Sequence, residues 1–375
     1  MAQPLCEYFG DCGGCLFQNV DYYSQVENKR RQLVNAIGCG DVRVFTDREY
    51  FYRTRVDMVF HPGGIGFRRK GVWYQTVDIG RCVIANERIN ELIAEVRDYF
   101  REVDYFQVRK NSGTYRYAVI RAPGADSSIS IVLNADSTRL LPARENITRF
   151  AERTSAGHVV ITYVPRNTDI SISQDYLAVK GGDVLAVELL GKRFGFNVQG
   201  FFQNNDRMAL SMQEYVAGLL AGYDTRSNHL VDLYGGVGTF GIINAHLFRE
   251  VTVIESFPGA VESARENVRH NGVENVAVLE LDAKRLKTAT LAGPLTVITD
   301  PPRSGMNPKT ITELIRLRPE LLIYVSCNVK QLGRDLEKFK GYRVKSAALF
   351  DFFPHTPHSE AVVELVAEGE GGPEG

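Results

Sequence analysis

The chain has 375 residues, of which 44% are apolar, and its formal net charge is -1. That length is too great for one small core and predicts two or three domains. No stretch reaches the roughly 18 apolar residues of a membrane span, and the N-terminus lacks a basic-then-apolar leader, so a cytoplasmic chain with no membrane partner is expected.

The first feature in chain order is "CEYFGDCGGC", residues 6–15, which places Cys6, Cys12 and Cys15 within ten residues. In a reducing compartment such spacing points to metal or catalysis rather than disulfides. C-x2-C suits zinc as readily as an iron–sulfur cluster. Cys39, Cys82 and Cys327 complete the set of six. Residues 20–38 predict one helix ending near Gly38. Residues 43–85 alternate like strands broken by glycine turns. From Arg48 to Arg81 there are seven basic and three acidic residues, with "FRRK" at a turn. That patch reads either as a phosphate contact or as a solvated hairpin tip. Helical spacing over 87–104, strands at "YRYAVIRA" and "SISIVLNA", a helix near 142–155 and further strands to about 198 make the middle region β-rich.

After "GFFQNN" (200–205) the pattern changes to a helix over 206–221 and then strands alternating with helices. This predicts an α/β fold, a doubly wound Rossmann-like sheet with ligands beyond the carboxyl ends of its strands. The expected division is 1–42 as a cysteine segment and helix, 43–200 as a β-rich α+β domain, 201–367 as the doubly wound domain and 368–375 as a disordered tail.

Gly236, Gly238 and Gly241 form G-x-G-x-x-G after a strand, and Glu255 ends the next strand 17 residues beyond Gly238. Such a turn lets a backbone approach a nucleotide while a carboxylate accepts ribose hydroxyls, which serves a dinucleotide or S-adenosylmethionine equally. Asp282, ending the third strand, reads as an adenine-side contact or as a helix cap.

"DPPRSG" (300–305) ends the fourth strand, and its two prolines fix the angle at which Asp300 leaves the sheet. Arg303 stands where amino-group methyltransferases place an aromatic residue, which argues against attack by an exocyclic amine. Cys327, in "YVSCN", ends the fifth strand at the same edge, where Arg303 would favour its thiolate; a buried structural cysteine is the alternative. A thiolate opposite a methyl donor suits one reaction. Attack on C6 of uracil makes C5 nucleophilic, C5 takes the methyl, a base removes the C5 proton and the thiolate leaves. "SEAVVEL" puts Glu360 at the crevice end of an antiparallel strand as that base. His355 and His358 compete for the role, and Glu364 lies farther from the mouth.

"CEYFGDCGGC", "GFFQNN", "DLYGGVGTFG", "DPPRSG", "YVSCN" and "DFFPHTPHSE", in that order over nearly the whole chain, resemble the S-adenosylmethionine-dependent RNA uracil-C5 methyltransferases. The resemblance implies Cys327 as nucleophile, Glu360 as proton acceptor and Arg303 as support from the pocket wall. It implies Gln203, Tyr234, Gly236, Thr239, Glu255, Asp282 and Asp300 as lining of the cofactor and uracil pocket. Many relatives carry asparagine where Thr239 stands. Phe201 would stack on a flipped base, the alternative being a core aromatic. The resemblance also implies a [4Fe-4S] cluster on Cys6, Cys12 and Cys15, completed by Cys82 after "DIGR"; Cys39 has no counterpart in the pattern. Such a cluster is expected to tie the N-terminal segment to the β-rich domain and to shape an RNA-facing surface.

The N-terminal β-barrel that many relatives carry does not precede the cysteines here. A cluster without a barrel resembles the smaller 23S rRNA enzymes most, so 23S rRNA is the expected substrate, a tRNA T-loop uridine the alternative and a monomer the expected state. A cytosine-C5 enzyme would add a second cysteine to "DPPRSG". A dinucleotide oxidoreductase or a non-catalytic RNA binder would leave Cys327, Asp300 and Glu360 without a shared purpose.

Overall fold

The computed structural model describes residues 2–368. Helix α1, Tyr22–Ile37, begins where the Asp21 carboxylate accepts from the Ser24 amide, and it ends at Gly38, whose φ of 67° closes the last turn. Strand β1, Val42–Phe45, follows. A seven-stranded sheet then forms from β2 (Arg55–His61), β3 (Gly64–Arg69), β4 (Val72–Asp78), β5 (Tyr115–Arg121), β6 (Ser128–Asn134), β7 (His158–Val164) and β8 (Tyr176–Lys180), in the order β4-β3-β2-β5-β6-β7-β8. Helices α2 (Glu87–Tyr99) and α3 (Leu140–Ala151) bury their apolar stripes on one face of it. Both helices stop short of the lengths that their periodicity suggested. The α2 stripe ends at Phe100, which is buried, and the next two residues are exposed.

The hairpin β9 (Val184–Leu189) and β10 (Lys192–Asn197) leads to α4, Asp206–Ala221. The second sheet is built from β11 (His229–Leu233), α5 (Thr239–Asn244), β12 (Glu250–Glu255), α6 (Pro258–His270), β13 (Val276–Glu280), β14 (Leu295–Thr299), α7 (Pro308–Leu317), β15 (Leu321–Ser326), α8 (Val329–Leu336), β16 (Tyr342–Phe350) and β17 (Glu360–Ala367). Its order is β1-β16-β17-β15-β14-β11-β12-β13, and only β17 pairs antiparallel. The central strands β11, β14 and β15 are short, mainly apolar runs because both of their faces are covered.

Two placements differ from the sequence pattern. Strand β1, grouped there with the middle strands, pairs with β16 from Val42↔Ala347 to Phe45↔Phe350. Four alternating residues carry no mark of which sheet edge they will join. The cysteine segment touches both halves of the molecule. Gly13 N–H donates to Arg68 O at 3.0 Å and Lys70 N–H to Asp11 O at 2.7 Å, while Leu16 and Phe17 N–H donate to His355 O at 2.8 and 3.1 Å. No helix among the described residues is long and apolar enough to cross a membrane. The expected tail lies, beyond residue 368, outside the described residues.

Candidate active site

The carboxyl ends of β11, β12, β14 and β15 open into one crevice of about 1030 Å³. The tight turn after β11 starts at Tyr234, whose φ of 61° is left-handed, and continues through Gly236 and Gly238 at 56° and 85°. At Gly241 a Cβ would lie 2.9 Å from Val253, so only glycine lets α5 sit this close to the sheet. Gly236 N–H donates to Glu255 Oε2 at 3.1 Å, and Ser256 and Phe257 N–H hold its Oε1 at 2.6 and 2.8 Å. Glu255 is thereby fixed at the crevice wall. Asp282 caps the turn that follows β13 and also stands at the crevice wall. It accepts from the Lys284 amide at 3.0 Å, and that amide holds its carboxyl below the usual range.

Asp300, Arg303, Cys327 and Glu360 face the same crevice from three different strand ends. Packing around Asp300, with the charge of Asp232 behind it, pushes its carboxyl up to about 7. Asp232, buried in β11 and accepting from Gly241 N–H at 2.8 Å, is pushed to about 7 by burial. Glu360 is buried at the first position of β17, and burial followed by the charge of Asp300 raises its carboxyl well above the usual range. The Cys327 thiol is pushed up to about 11 by burial and then by Glu360 and Asp300. Arg303 lowers it, as its place in the motif suggests, but does not outweigh the other three. Arg303 itself is held by Asn328 Nδ2 on its carbonyl at 2.9 Å and by His358 Nδ1, 3.0 Å from its Nη2.

Gln203, Tyr234, Gly236, Thr239 and Phe201 also line the crevice. Phe201 is 69% exposed and so is no core aromatic; its neighbour Phe202 is buried and stacks on Phe196 with ring centroids 4.5 Å apart. The competing bases lie elsewhere. His355 is buried away from the crevice beside Gln25, its imidazole pushed down to about 4 by burial. His358 is exposed and does not itself line the crevice, meeting the Arg303 guanidinium from outside it. Glu364 is committed to Lys345 at 3.2 Å and accepts from Ser346 and Tyr223. Asp232 went unnoticed in the sequence, although an acid in the middle of an apolar strand was there to be seen.

Cys6, Cys12, Cys15 and Cys82 line a second cavity of about 400 Å³, which neither Cys39 nor Cys327 reaches. Burial raises all four thiols, Cys12 to about 11 and Cys15 to about 12, and the four are near enough for Cys82 to raise the other three further. Among the described residues no group of three or more His, Cys, Asp or Glu side chains is gathered tightly enough to hold a metal ion. The donor set of four thiols around one cavity has the composition that an iron–sulfur cube takes.

The tRNA (uracil-54, C5)-methyltransferase of Pyrococcus abyssi, solved with S-adenosyl-L-homocysteine, matches with a TM-score of 0.80 and 27% identity over 95% of this chain and 86% of that one. The fold and its crevice are those of an S-adenosylmethionine-dependent methyltransferase. The tRNA (uracil(54)-C(5))-methyltransferase of Pyrococcus horikoshii is 33% identical over 96% of this chain and 85% of its own length. An uncharacterized RNA methyltransferase of Caldanaerobacter subterraneus is 30% identical over 95% and 83%. The model of the tRNA (uracil-5-)-methyltransferase family matches residues 21–368. The chain belongs to that family and is an S-adenosylmethionine-dependent RNA uracil-C5 methyltransferase.

Proposed function

We propose that the protein methylates C5 of the T-loop uridine of tRNA, acting as a monomer in the cytoplasm. The carrying observation is that the Pyrococcus relatives at 31–33% identity over 96–97% of this chain are named for uridine 54 of tRNA. This replaces the preference for 23S rRNA, which rested on layout alone. Layout registers which modules are attached and not which RNA they grip.

Glu255 and Asp282, with the glycine turn, would hold S-adenosylmethionine on one side of the crevice. The bound cofactor supplies the methyl group as an electrophilic sulfonium. Cys327 Sγ, as thiolate, adds to C6 of the uracil, and the electron pair moves toward the C4 carbonyl, making C5 nucleophilic. Once C5 has taken the methyl group, with S-adenosylhomocysteine as the leaving group, Glu360 takes the C5 proton, and the C–H electron pair forms the C5–C6 double bond as Cys327 leaves as thiolate. Asp300 and Arg303 line the wall beside the base, and the exposed ring of Phe201 is free to stack on it. We also propose that Cys6, Cys12, Cys15 and Cys82 hold a [4Fe-4S] cluster, which supplies no step of methyl transfer. In this reading residues 1–42 are the cluster segment, 43–200 the RNA-facing domain apart from β1, which joins the catalytic sheet, and 201–367 the catalytic domain.

Mass mapping of 5-methyluridine in tRNA and rRNA from a deletion strain tests the substrate. Loss from the tRNA T-loop is expected. Loss from 23S rRNA alone would restore the other substrate. The absorbance spectrum and the iron and sulfide content of anaerobically purified protein test the cluster.

A further inference from the structure

Strand β4 is one of the two edges of the seven-stranded sheet, and it leaves the β3–β4 turn with Trp73 and Tyr74 in water. Trp73, the only tryptophan in the chain, is 62% exposed and meets Tyr74 edge-on at 5.8 Å. Arg109, from the 105–112 turn, lies over the Tyr74 ring at 4.7 Å. Lys70, Arg109 and Lys110 are exposed, and no carboxylate lies within ion-pair distance of them among the described residues. A protein whose net charge is -1 thus keeps three unneutralised cations beside two exposed aromatic rings.

The patch is connected to the crevice. Arg68, two residues before Lys70, pairs with Asp169 at 3.4 Å. Arg116 donates to Pro165 O at 2.8 Å, which holds the 165–175 loop beside the same strands. That loop exposes Ile170 and Ile172, and Ile172 is itself part of the crevice wall with Phe201. Ser173 N–H fixes the far end of the loop on Gln199 Oε1 at 3.1 Å. Exposed apolar side chains therefore stand at both ends of one path, Trp73 and Tyr74 with the cations at the β3–β4 hairpin and Ile172 and Phe201 at the mouth, and between them the 165–175 loop with Ile170 is bonded to β3 through Asp169.

We propose that this strip docks the substrate RNA beyond its target uridine, with Trp73 stacking on an unpaired base and Lys70, Arg109 and Lys110 neutralising phosphates. Aromatic faces accept any base, and free cations release phosphate counterions, so the combination fits a looped or single-stranded RNA segment. Another protein would need carboxylates for the cations and would meet an apolar strip broken by charge. The inference rests on RNA being the substrate and not on which RNA it is.

The RNA used for the test is whichever of a tRNA transcript and a 23S rRNA transcript receives 5-methyluridine from wild type, so the substrate reading and the strip are judged separately. Saturating that RNA is expected to quench the fluorescence of Trp73, an unambiguous signal because the chain has no other tryptophan. Trp73→Leu is expected to raise KM for RNA roughly five- to hundredfold, leaving kcat and KM for S-adenosylmethionine unmoved, and Trp73→Phe should restore most of the loss. Lys70→Gln with Arg109→Gln and Lys110→Gln should flatten the slope of log affinity against log salt by about 0.7 per charge removed. Fluorescence unmoved by saturating RNA, or an unchanged KM in Trp73→Leu, would overturn the proposal. Self-association that Trp73→Leu abolishes while KM for RNA stays fixed would overturn it in favour of a second copy of the chain.

Discussion

The Lys29 ammonium and the Asp351 carboxylate lie 2.6 Å apart, and both side chains are almost wholly withdrawn from water. Tyr22 adds a hydroxyl to the other carboxylate oxygen at 2.9 Å, and Lys29 also donates to Phe353 O at 3.1 Å. Helix α1 is thereby clamped to the turn that delivers Glu360 into the crevice. Burial pushes the Lys29 ammonium down, and Asp351 opposes that shift. A buried pair adds little net stability, but removing one partner strands the other charge. Lys29→Met is expected to cost about 3–5 kcal/mol in urea unfolding. Lys29→Met combined with Asp351→Asn should cost less than that single change. If the double variant's loss relative to wild type equals the sum of the losses of Lys29→Met and Asp351→Asn taken singly, the two charges are not coupled.

The position of Cys327 and Glu360 on one crevice wall predicts two opposite failures. RNA carrying 5-fluorouracil should form a covalent adduct with wild type, because fluorine cannot leave as a proton. Cys327→Ala should form none. Glu360→Gln should accumulate an adduct with ordinary uridine RNA, visible on a denaturing gel, while turnover falls at least about a hundredfold. An undiminished adduct in Cys327→Ala removes that thiol from its role, and normal turnover in Glu360→Gln removes that carboxylate.

A thiol raised to about 11 is protonated in the free enzyme at neutral pH, and its reactivity therefore rises as pH rises toward that value. The alkylation rate of Cys327 by iodoacetamide, with Cys327→Ala as the blank for the other five cysteines, should climb close to tenfold per pH unit from pH 7 to 9. Asp300 is one of the two charges that raise the thiol, and Arg303 opposes them. Asp300→Asn should speed alkylation at pH 8 and Arg303→Gln should slow it, each several-fold. A rate that is flat over this range means that the thiol is already ionised.

The alternation of apolar strands with helices after residue 205 was enough to read the doubly wound sheet, because its central strands β11, β14 and β15 are buried on both faces and leave mainly apolar runs. The crevice residues were legible for the same reason. Asp300, Cys327 and Glu360 stand at strand ends, and strand ends are where a parallel sheet gathers its ligands. Three things were not legible. The partner of β1 is decided by the edge of β16, some 300 residues away in sequence. The raised thiol of Cys327 depends on two carboxylates and on burial that only packing supplies. Asp232 was visible as an acid in an apolar strand, but its partner was not, because the glycine turn brings the Gly241 amide to it.

The cysteine segment and the turn that leads to Glu360 are bonded to each other, which makes a further prediction. Leu16 and Phe17, directly after Cys15, donate both amides to His355 O, and Gln25 bridges Phe17 O and His355 N at 2.9 and 3.0 Å. His355 holds a left-handed φ of 64°, unusual for a residue other than glycine, so this turn keeps its shape only while those bonds hold it. Disturbing the cysteines should therefore loosen the approach to Glu360 before it loosens either sheet. In Cys15→Ser, hydrogen exchange is expected to accelerate at the amides of Leu16, Phe17 and His355, with β11 and β14 protected as in wild type. Turnover at saturating RNA should fall with it. Unchanged exchange at those three amides would mean that the cysteines act on the β-rich half alone, through the Gly13–Arg68 and Asp11–Lys70 bonds.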